Sequence, residues 1–257
     1  MSPLPLDASA PSPKDRFVTV YGRNPVLAAL DDPALTVDKV LLAEGARGPH
    51  VAEILASARG RGVSVQRVSA ERVKKLAGNG KQDQGVCADV VAPRMRTVAA
   101  ALAAGLTGPV LVLDDVTTPA NVGMILRTAT AAGFAGIVVP RRGVAAIDPL
   151  VVKASAGVAF AAPILKCATA SEAVHALAEA GFRVVGLDSH ATTSLYAAHL
   201  PGRTAYVLGG ETAGVSPEVG AQVDTWLAIP LSAGVESLNV AAAAAVLCFE
   251  VVRPGRG

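Results

Sequence analysis

The sequence predicts an α/β protein whose larger part is a parallel sheet with helices on both faces. Short apolar runs of strand length alternate with segments of helical spacing along most of the chain, a pattern typical of parallel sheets. Of the 257 residues, 51% are hydrophobic, which suffices for the cores of one large or two modest domains. Such sheets bind ligands at the carboxyl ends of their strands, so polar residues at those ends are candidates for a functional site.

The composition argues against a membrane protein and against a disulfide-stabilised one. No apolar run reaches the length of a membrane span, and the N-terminus lacks the pattern of a signal peptide, so a cytoplasmic location is expected. Cys87, Cys167 and Cys248 lie far apart in apolar contexts, which predicts buried thiols. The four histidines show no spacing typical of metal sites, so no metal is expected.

Residues 1–16, rich in Pro, Ser and Ala without periodicity, are predicted to be a disordered leader. Residues 17–93 are predicted to form a small α/β domain, in which Asn24 and Ser69 are candidate N-caps. The predicted strands are Val18–Tyr21, Val37–Leu42, Val63–Val68 and Val86–Val91, and the predicted helices are Pro25–Leu30, His50–Ala58 and Ala70–Leu76.

A second domain is predicted over residues 106–253, after a linker of residues 94–105. A short helix, Val98–Leu106, is expected to lead into it. The predicted strands are Val110–Leu113, Ala135–Val139, Arg183–Leu187, Ala205–Leu208 and Trp226–Ile229. Helices are predicted to begin at Asn121 and Pro149, to cover Ser171–Ala180, and to include the alanine-rich Ala241–Glu250.

Three blocks of polar and turn-forming residues follow the predicted strands of this second domain. Gly209 and Gly210 have no Cβ atoms, so the backbone can turn sharply there or let a ligand approach closely. Pro230 should stop strand pairing, and Ser237 is a candidate cap for the last helix. The blocks are Asn121–Arg127, Leu208–Gly214, which contains G-x-E-x-x-G, and Ile229–Pro230 together with Ser237–Val240.

These blocks, in this order, resemble the SpoU (TrmH-type) ribose methyltransferases, the 2′-O branch of the SPOUT superfamily. The phrases VYGRNPVLAAL and DQGVCADV are similar to the substrate-binding domain of many members, a fold akin to RNA-binding ribosomal proteins. The resemblance implies S-adenosylmethionine as cofactor, an RNA ribose as acceptor, a C-terminal trefoil knot and a homodimer that completes the site. Thr212 and Ala241 depart from the usual glycine and serine, but neither is a residue to which the chemistry is usually assigned.

The resemblance also implies roles for single residues. Arg127 would stabilise the developing alkoxide by its charge, because a guanidinium stays protonated. Asn121 would orient Arg127 or the ribose, although a helix N-cap is equally compatible with it. Glu211 would pair with Arg127 or bind the nucleotide, and Ser237 and Asn239 would act in catalysis, cap a helix, or both. The residues expected to hold the cofactor are Leu208, Gly209, Gly210, Ile229 and Leu238.

The net charge of +2 hides an asymmetry between the two domains. Residues 1–105 carry 14 Lys and Arg against 10 Asp and Glu, whereas residues 106–257 carry 9 against 11. Such a basic excess suits RNA phosphates, although an ordinary solvated surface is equally compatible. The residues expected to bind RNA are Arg23, Arg72, Lys74 and Lys75, and the further basic residues of this region are Arg59, Arg61, Arg67 and Lys81.

The expected substrate is 23S rRNA rather than tRNA, because an N-terminal domain of this type is commoner in the rRNA-directed members of the family. A tRNA 2′-O-methyltransferase and a non-catalytic RNA-binding or assembly protein that keeps the fold stay open as alternatives. The dinucleotide-binding fingerprint, the phosphate loop and the G-x-S-x-G elbow are absent from the sequence.

Overall fold

The structure is a computed structural model, and it describes residues 16–77, 83–199, 202–232 and 234–253. Almost all of the predicted leader, residues 1–15, and Lys81 lie outside the described residues. The first part of the chain consists of β1 (Phe17–Tyr21), α1 (Arg23–Asp31), β2 (Val37–Ala43), α2 (Pro49–Gly60), β3 (Ser64–Val68), α3 (Ala70–Ala77) and β4 (Val86–Val91).

The second part begins with β5 (Arg96–Thr97), α4 (Val98–Ala103), β6 (Val110–Leu113), α5 (Pro119–Ala131), β7 (Gly136–Pro140) and α6 (Pro149–Ala154). After a 3₁₀ turn at Val158–Phe160 follow β8 (Ile164–Cys167), α7 (Ala170–Glu179), β9 (Arg183–Leu187) and β10 (Thr204–Leu208). The last elements are α8 (Pro217–Gly220), β11 (Thr225–Leu227) and α9 (Val240–Val251).

The four described strands of the first domain form a mixed sheet in the order β1-β4-β2-β3, in which β2 and β3 run parallel and the other neighbours antiparallel. Ser69 caps α3 as predicted, since its hydroxyl accepts from the N–H of Arg72 at 3.3 Å. The prediction that Asn24 caps α1 is wrong. Gly22 takes the N-cap position with φ of 89°, which lets the chain pass from β1 directly into the helix and leaves Asn24 inside the first turn.

Two of the basic residues in this domain serve the fold. Arg61 donates to the carbonyl oxygens of Leu30, Asp32 and Leu35 at 2.8, 2.8 and 2.6 Å, which satisfies carbonyls at the end of α1. Arg67 donates to the carbonyl oxygens of residues 43, 44 and 46 at 3.2 to 3.3 Å. The basic surface available to RNA is therefore smaller than the charge count indicates.

The second domain contains a parallel sheet of seven described strands in the order β11-β9-β10-β6-β7-β8-β5, which confirms the predicted fold class. Alternate residues of each strand pack against different helices. In β6, Leu111 and Leu113 belong to the cluster that contains side chains of α5, α6 and α9, whereas Val110 and Val112 belong to the cluster with α4 and α7. Helices therefore cover both faces of the sheet.

The segment predicted as a linker, residues 94–105, holds the outer strand of this sheet and a helix. β5 pairs with β8 only through Arg96 with Leu165 and Thr97 with Lys166. Thr97 then caps α4 by accepting from the N–H of Ala100 at 3.1 Å. Neither β5 nor β8 was predicted. The two residues of β5 are too few to show a periodicity of their own, so this strand is defined by its partner β8.

The two domains share one continuous cluster of buried side chains. Across their contact, the Tyr21 hydroxyl donates to Oδ2 of Asp148 at 3.2 Å, while Oδ1 of Asp148 caps the first turn of α6. α6 packs on α5 so closely that a Cβ atom on Gly123 would lie 2.5 Å from the Cβ atom of Ala154. The first domain is thereby connected through α6 to α5.

The cysteine thiols are poor nucleophiles in this fold. Desolvation by burial raises the pKa of Cys87 and Cys248 to about 12 and that of Cys167 to about 11. Cys87 and Cys248 are buried as predicted, whereas Cys167 is half-buried. In the described parts of the chain, no helix is long and apolar enough to cross a membrane, and no cluster of His, Cys, Asp and Glu is arranged to hold a metal ion.

Candidate active site

The first two blocks meet at the carboxyl ends of the neighbouring strands β6 and β10. Leu208 pairs with Leu113 at the last position of the ladder, and the Leu208 carbonyl accepts from the N–H of Asp114 at 2.9 Å. Both chains leave the sheet directly afterwards, one toward α5 and the other into the G-x-E-x-x-G block. This edge is the place where parallel sheets bind ligands.

The G-x-E-x-x-G block folds back on itself as a tight loop. Gly210 and Gly214 exchange two backbone hydrogen bonds of 2.9 and 3.0 Å. A Cβ atom on Gly209 would lie only 2.1 Å from the carbonyl carbon of Gly214, so no other residue fits there. The buried carboxylate of Asp114 accepts from the N–H of Ser216 at 2.7 Å, which holds the end of the loop against β6.

Glu211 connects all three blocks by hydrogen bonds. Its Oε1 atom accepts from the side-chain amides of Asn121 at 2.6 Å and Asn239 at 2.9 Å, and its Oε2 atom accepts from the Thr118 hydroxyl at 3.2 Å. The amide of Asn239 also donates to Oδ1 of Asn121 at 3.2 Å. Three of the five predicted catalytic residues, Asn121, Glu211 and Asn239, therefore form one network, which Thr118 completes.

Three of the contacts that the sequence left possible are not the ones that the structure shows. Glu211 makes no ion pair with Arg127 among the described residues, and its carboxylate oxygens accept instead from Asn121, Asn239 and Thr118. Thr118, not Asn121, takes the N-cap position of α5. The last helix is capped by Asn239 rather than Ser237, since Oδ1 of Asn239 accepts from the N–H groups of Ala241 and Ala242 at 2.9 and 3.4 Å.

Replacing Glu211 with glutamine tests the network. The amide has one acceptor oxygen in place of two charged ones, so a donor on Asn121, Asn239 or Thr118 loses its partner. We expect the free energy of unfolding to fall by about 1 to 2 kcal/mol in urea titrations. Glu218→Gln, an exposed carboxylate on α8, is the matched control and should not change it. Equal stability of Glu211→Gln and wild type would show that the network does not form in solution.

A pocket of about 440 Å³ lies beside this network, within the size range of small-molecule sites. All five residues expected to hold the cofactor line it, together with Glu211 and Ser237. Its apolar walls also include Leu187 and Trp226, which lie outside the three blocks and were not predicted because their sequence pattern is that of ordinary core residues. Bare glycine backbone on one side and aliphatic walls on the other fit an adenosine-containing ligand.

Arg127 lies apart from this pocket. It is exposed on α5, is not among the described residues that line the pocket, and has no hydrogen-bond or ion-pair partner in the described part of the chain. Met124, one turn earlier on the same helix, has 42% of its surface exposed. On the adjacent α9, Phe249 is 55% exposed. The charge of Arg127 is thus exposed one turn from Met124, on a helix that packs against the helix carrying Phe249.

The residues expected to bind RNA occupy two places. Arg72, Lys74 and Lys75 are exposed on α3 and have no ion-pair partner among the described residues. Arg23, at the start of α1, is partly buried, and its backbone N–H donates to the side chain of Gln84 at 3.0 Å.

Comparisons with known proteins agree with this geometry. The model of the SpoU rRNA Methylase family matches residues 108–249, and the model described as RNA 2′-O ribose methyltransferase substrate binding matches residues 19–96. The chain is 34% identical over 238 residues to the 23S rRNA (guanosine-2′-O-)-methyltransferase RlmB of Xylella fastidiosa, covering 91% of this chain and 95% of that protein. The Vibrio cholerae protein of the same name is also 34% identical, with 91% and 96% covered.

Solved structures show the same fold. AviRb from Streptomyces viridochromogenes, in complex with the cofactor AdoMet, superposes with a TM-score of 0.61 at 25% identity and covers 92% of this chain and 90% of that one. A TrmH-family protein from Porphyromonas gingivalis gives 0.63 at 28% identity, with 93% and 90% covered. These matches confirm the resemblance, the enzyme class and the S-adenosylmethionine cofactor predicted from the sequence. The chain belongs to the SpoU rRNA methylase family and carries the substrate-binding domain of RNA 2′-O-ribose methyltransferases at its N-terminal end.

Proposed function

We propose that this protein transfers the methyl group of S-adenosylmethionine to a ribose 2′-hydroxyl of 23S rRNA in the cytoplasm. The observation that carries the proposal is the convergence of the three blocks: Asn121, Glu211 and Asn239 are hydrogen-bonded to one another beside a pocket that contains all five residues expected to hold the cofactor. The choice of 23S rRNA is supported by relatives of matching length that are named as 23S rRNA (guanosine-2′-O-)-methyltransferases.

The cofactor, when bound, supplies a methyl group activated by its positively charged sulfur. Gly209 and Gly210 would approach it with bare backbone, and Leu208, Ile229 and Leu238 would contact its apolar surface. Ser237, which lines the same pocket and does not cap α9, keeps its hydroxyl for the cofactor or the nucleotide. The network around Glu211 fixes the pocket relative to α5, the helix that carries Arg127.

Arg127 would act on the acceptor. Its permanent positive charge and forked donors would stabilise the oxyanion that develops on the 2′-oxygen, and no proton has to leave the guanidinium for this. Since Arg127 and the pocket do not share a cavity within one chain, the RNA or a second copy of the protein has to bring the two together.

A homodimer would meet this requirement. The α5–α9 surface, defined by Met124, Arg127 and Phe249, presents large apolar side chains of the kind that protein interfaces bury. The double variant Met124→Glu/Phe249→Glu should therefore be monomeric in analytical ultracentrifugation, and Leu150→Glu, an equally exposed position on α6, should not change the mass. A monomeric wild type, or a double variant with wild-type mass, would contradict the dimer proposed for this surface.

The C-terminal trefoil knot of the family is part of the proposal. Its support is the return of α9 after β11 to pack against α5, with Asn239 at its start contacting Asn121 and Glu211.

The first domain, residues 17–93, would bind the RNA, in line with its match to the substrate-binding domain and with the expected likeness to RNA-binding ribosomal proteins. Charge reversal at Lys74 and Lys75 should weaken RNA binding, because two phosphate contacts are lost. We expect the slope of log affinity against log salt to flatten by about 1.4 to 2. Filter binding at several salt concentrations measures both quantities.

The control for this charge reversal is Arg183→Glu. Arg183 is the first residue of β9 and lies at the end of the sheet opposite to the carboxyl ends of the strands. This variant should leave both the affinity and the salt slope unchanged. RNA binding of Lys74→Glu/Lys75→Glu equal to that of wild type would mean that α3 is only a solvated surface.

Labelled S-adenosylmethionine, supplied with purified rRNA and separately with tRNA, tests the activity and the substrate together. Label at a 2′-O position of 23S rRNA would support the proposal. Label confined to tRNA would support methyl transfer as the reaction but contradict 23S rRNA as the substrate. Cofactor binding without transfer to either RNA would favour a non-catalytic RNA-binding protein.

A further inference from the structure

The pocket beside the network contains few ionisable side chains. Among the described residues that line it, these are Asp188, His190 and Glu211, and none is a lysine or an arginine. Both oxygens of Glu211 already accept hydrogen bonds from Asn121, Asn239 and Thr118. Asp188 is therefore the carboxylate of this pocket that the network leaves available, and it lies outside the three blocks that characterise the family.

Asp188 is held in a fixed orientation at the carboxyl end of β9. Its backbone N–H donates to the Leu227 carbonyl of β11 at 3.0 Å. Its Oδ1 atom accepts from the backbone N–H of His190 at 2.8 Å and lies 3.1 Å from Nδ1 of that ring. The hydrogen bond from the His190 backbone lowers the pKa of the Asp188 carboxyl, so the group is ionised at neutral pH.

The second oxygen of Asp188 has no partner in the described part of the chain. The side chain is 48% exposed, so Oδ2 can accept from a molecule in the pocket without a change in the local backbone. β9 lies next to β10 in the sheet, and β10 leads into Gly209 and Gly210. The free oxygen and the glycine backbone therefore belong to neighbouring strand ends of one cavity.

S-adenosylmethionine carries two positive charges, on its sulfonium and on its ammonium group, and one negative charge, on its own carboxylate. A cation taken from water into a partly enclosed site is costly unless an anion compensates it, whereas ribose hydroxyls can be satisfied by neutral backbone groups. A pocket with an available carboxylate, and with no lysine or arginine among its described lining residues, is thus matched to a cationic ligand.

We propose that Asp188 binds the cofactor as the counter-ion of its positive charge. This inference rests on the proposed function and adds to it a residue that selects for the charged, amino-acid end of the cofactor. Asp188 would raise the affinity for S-adenosylmethionine and would contribute little to ligands that contain only the uncharged adenosine end.

Isothermal titration calorimetry with the full chain and without RNA tests this. Asp188→Asn keeps the shape of the side chain and an acceptor for the His190 N–H, but it removes the charge. We expect its Kd for S-adenosylmethionine to rise about tenfold, the effect of one partly solvated charge at about 5 Å. The Kd for 5′-methylthioadenosine, which has neither the sulfonium nor the ammonium group, should change less than twofold. Glu179→Gln, an exposed carboxylate on α7 outside the pocket, is the charge-matched control and should bind both ligands like wild type.

S-adenosylhomocysteine distinguishes the two cations, because it keeps the ammonium group and lacks the sulfonium charge. Weakening of both charged ligands by Asp188→Asn would assign the ammonium, and weakening of S-adenosylmethionine alone would assign the sulfonium. Equal weakening of 5′-methylthioadenosine would overturn the proposal in favour of a ribose contact, and unchanged affinity for every ligand would overturn it altogether. A wild type that binds no S-adenosylmethionine would instead contradict the proposed function itself.

Discussion

The Arg127→Ala variant is expected to lose methyl transfer by a factor of about 10² to 10³ while it binds S-adenosylmethionine with an affinity within twofold of wild type. The factor is that of removing one donor to a developing oxyanion. The affinity should persist because Arg127 is exposed on α5 and is not among the described residues lining the pocket. Single-turnover transfer to RNA and calorimetry with the cofactor alone measure the two effects separately.

Arg183→Ala is the matched control for this variant. Arg183 is an exposed arginine of the same domain whose guanidinium donates to the Thr225 hydroxyl at 2.8 Å, at the edge of the sheet opposite to the site. Its removal should leave the transfer rate within a factor of two. A tenfold loss of cofactor affinity in Arg127→Ala would place Arg127 in the cofactor pocket instead.

The Gly209→Ala variant is expected to lose cofactor binding by at least about 100-fold. Its Cβ atom would lie 2.1 Å from the carbonyl carbon of Gly214 and 2.2 Å from the backbone nitrogen of Val215, so the loop would have to open. Opening of this loop would remove the glycine wall of the pocket and would displace Glu211 from its hydrogen-bond partners. We expect the free energy of unfolding to fall by about 1 to 3 kcal/mol as well, the usual range for overpacking.

Gly202→Ala separates this steric effect from the general effect of replacing a glycine. No described residue comes within 4 Å of a Cβ atom built on Gly202, so this variant should bind the cofactor and unfold like wild type. Calorimetry and thermal unfolding of the two variants side by side make the comparison. Wild-type cofactor affinity in Gly209→Ala would show that the loop is not part of the pocket.

The sequence predicted the fold well wherever apolar runs had a period of their own. The strands Val86–Val91, Val110–Leu113 and Arg183–Leu187 have the predicted bounds. The strands that were missed depend on distant partners: Arg96–Thr97 is a strand only because it pairs with β8. Helix starts were also less predictable. Ser237 and Asn239 are both good N-cap residues, and the local sequence does not decide between them.

For the site, the sequence motifs identified residues that take part but did not predict their hydrogen-bond partners. Asn121 and Asn239 were both candidates, yet their shared partner Glu211 was expected to pair with Arg127 or to bind the nucleotide. Opposite charges suggest an ion pair in a sequence, whereas the fold places two amides nearer. Asp188 was missed because a lone acidic residue after a strand has no motif, and its significance appears only with the pocket around it.

The continuous core that the two domains share has a consequence for how the protein loses its structure. Val20 of β1 and Leu111 of β6 belong to the same buried cluster, and Tyr21 is bonded across the contact to Asp148. Melting either domain would expose apolar surface on the other, so heat should denature the chain in one cooperative transition, visible as a single calorimetric endotherm. Residues 17–93 expressed alone would consequently be weakly folded and prone to aggregate, rather than an independently folding RNA-binding domain.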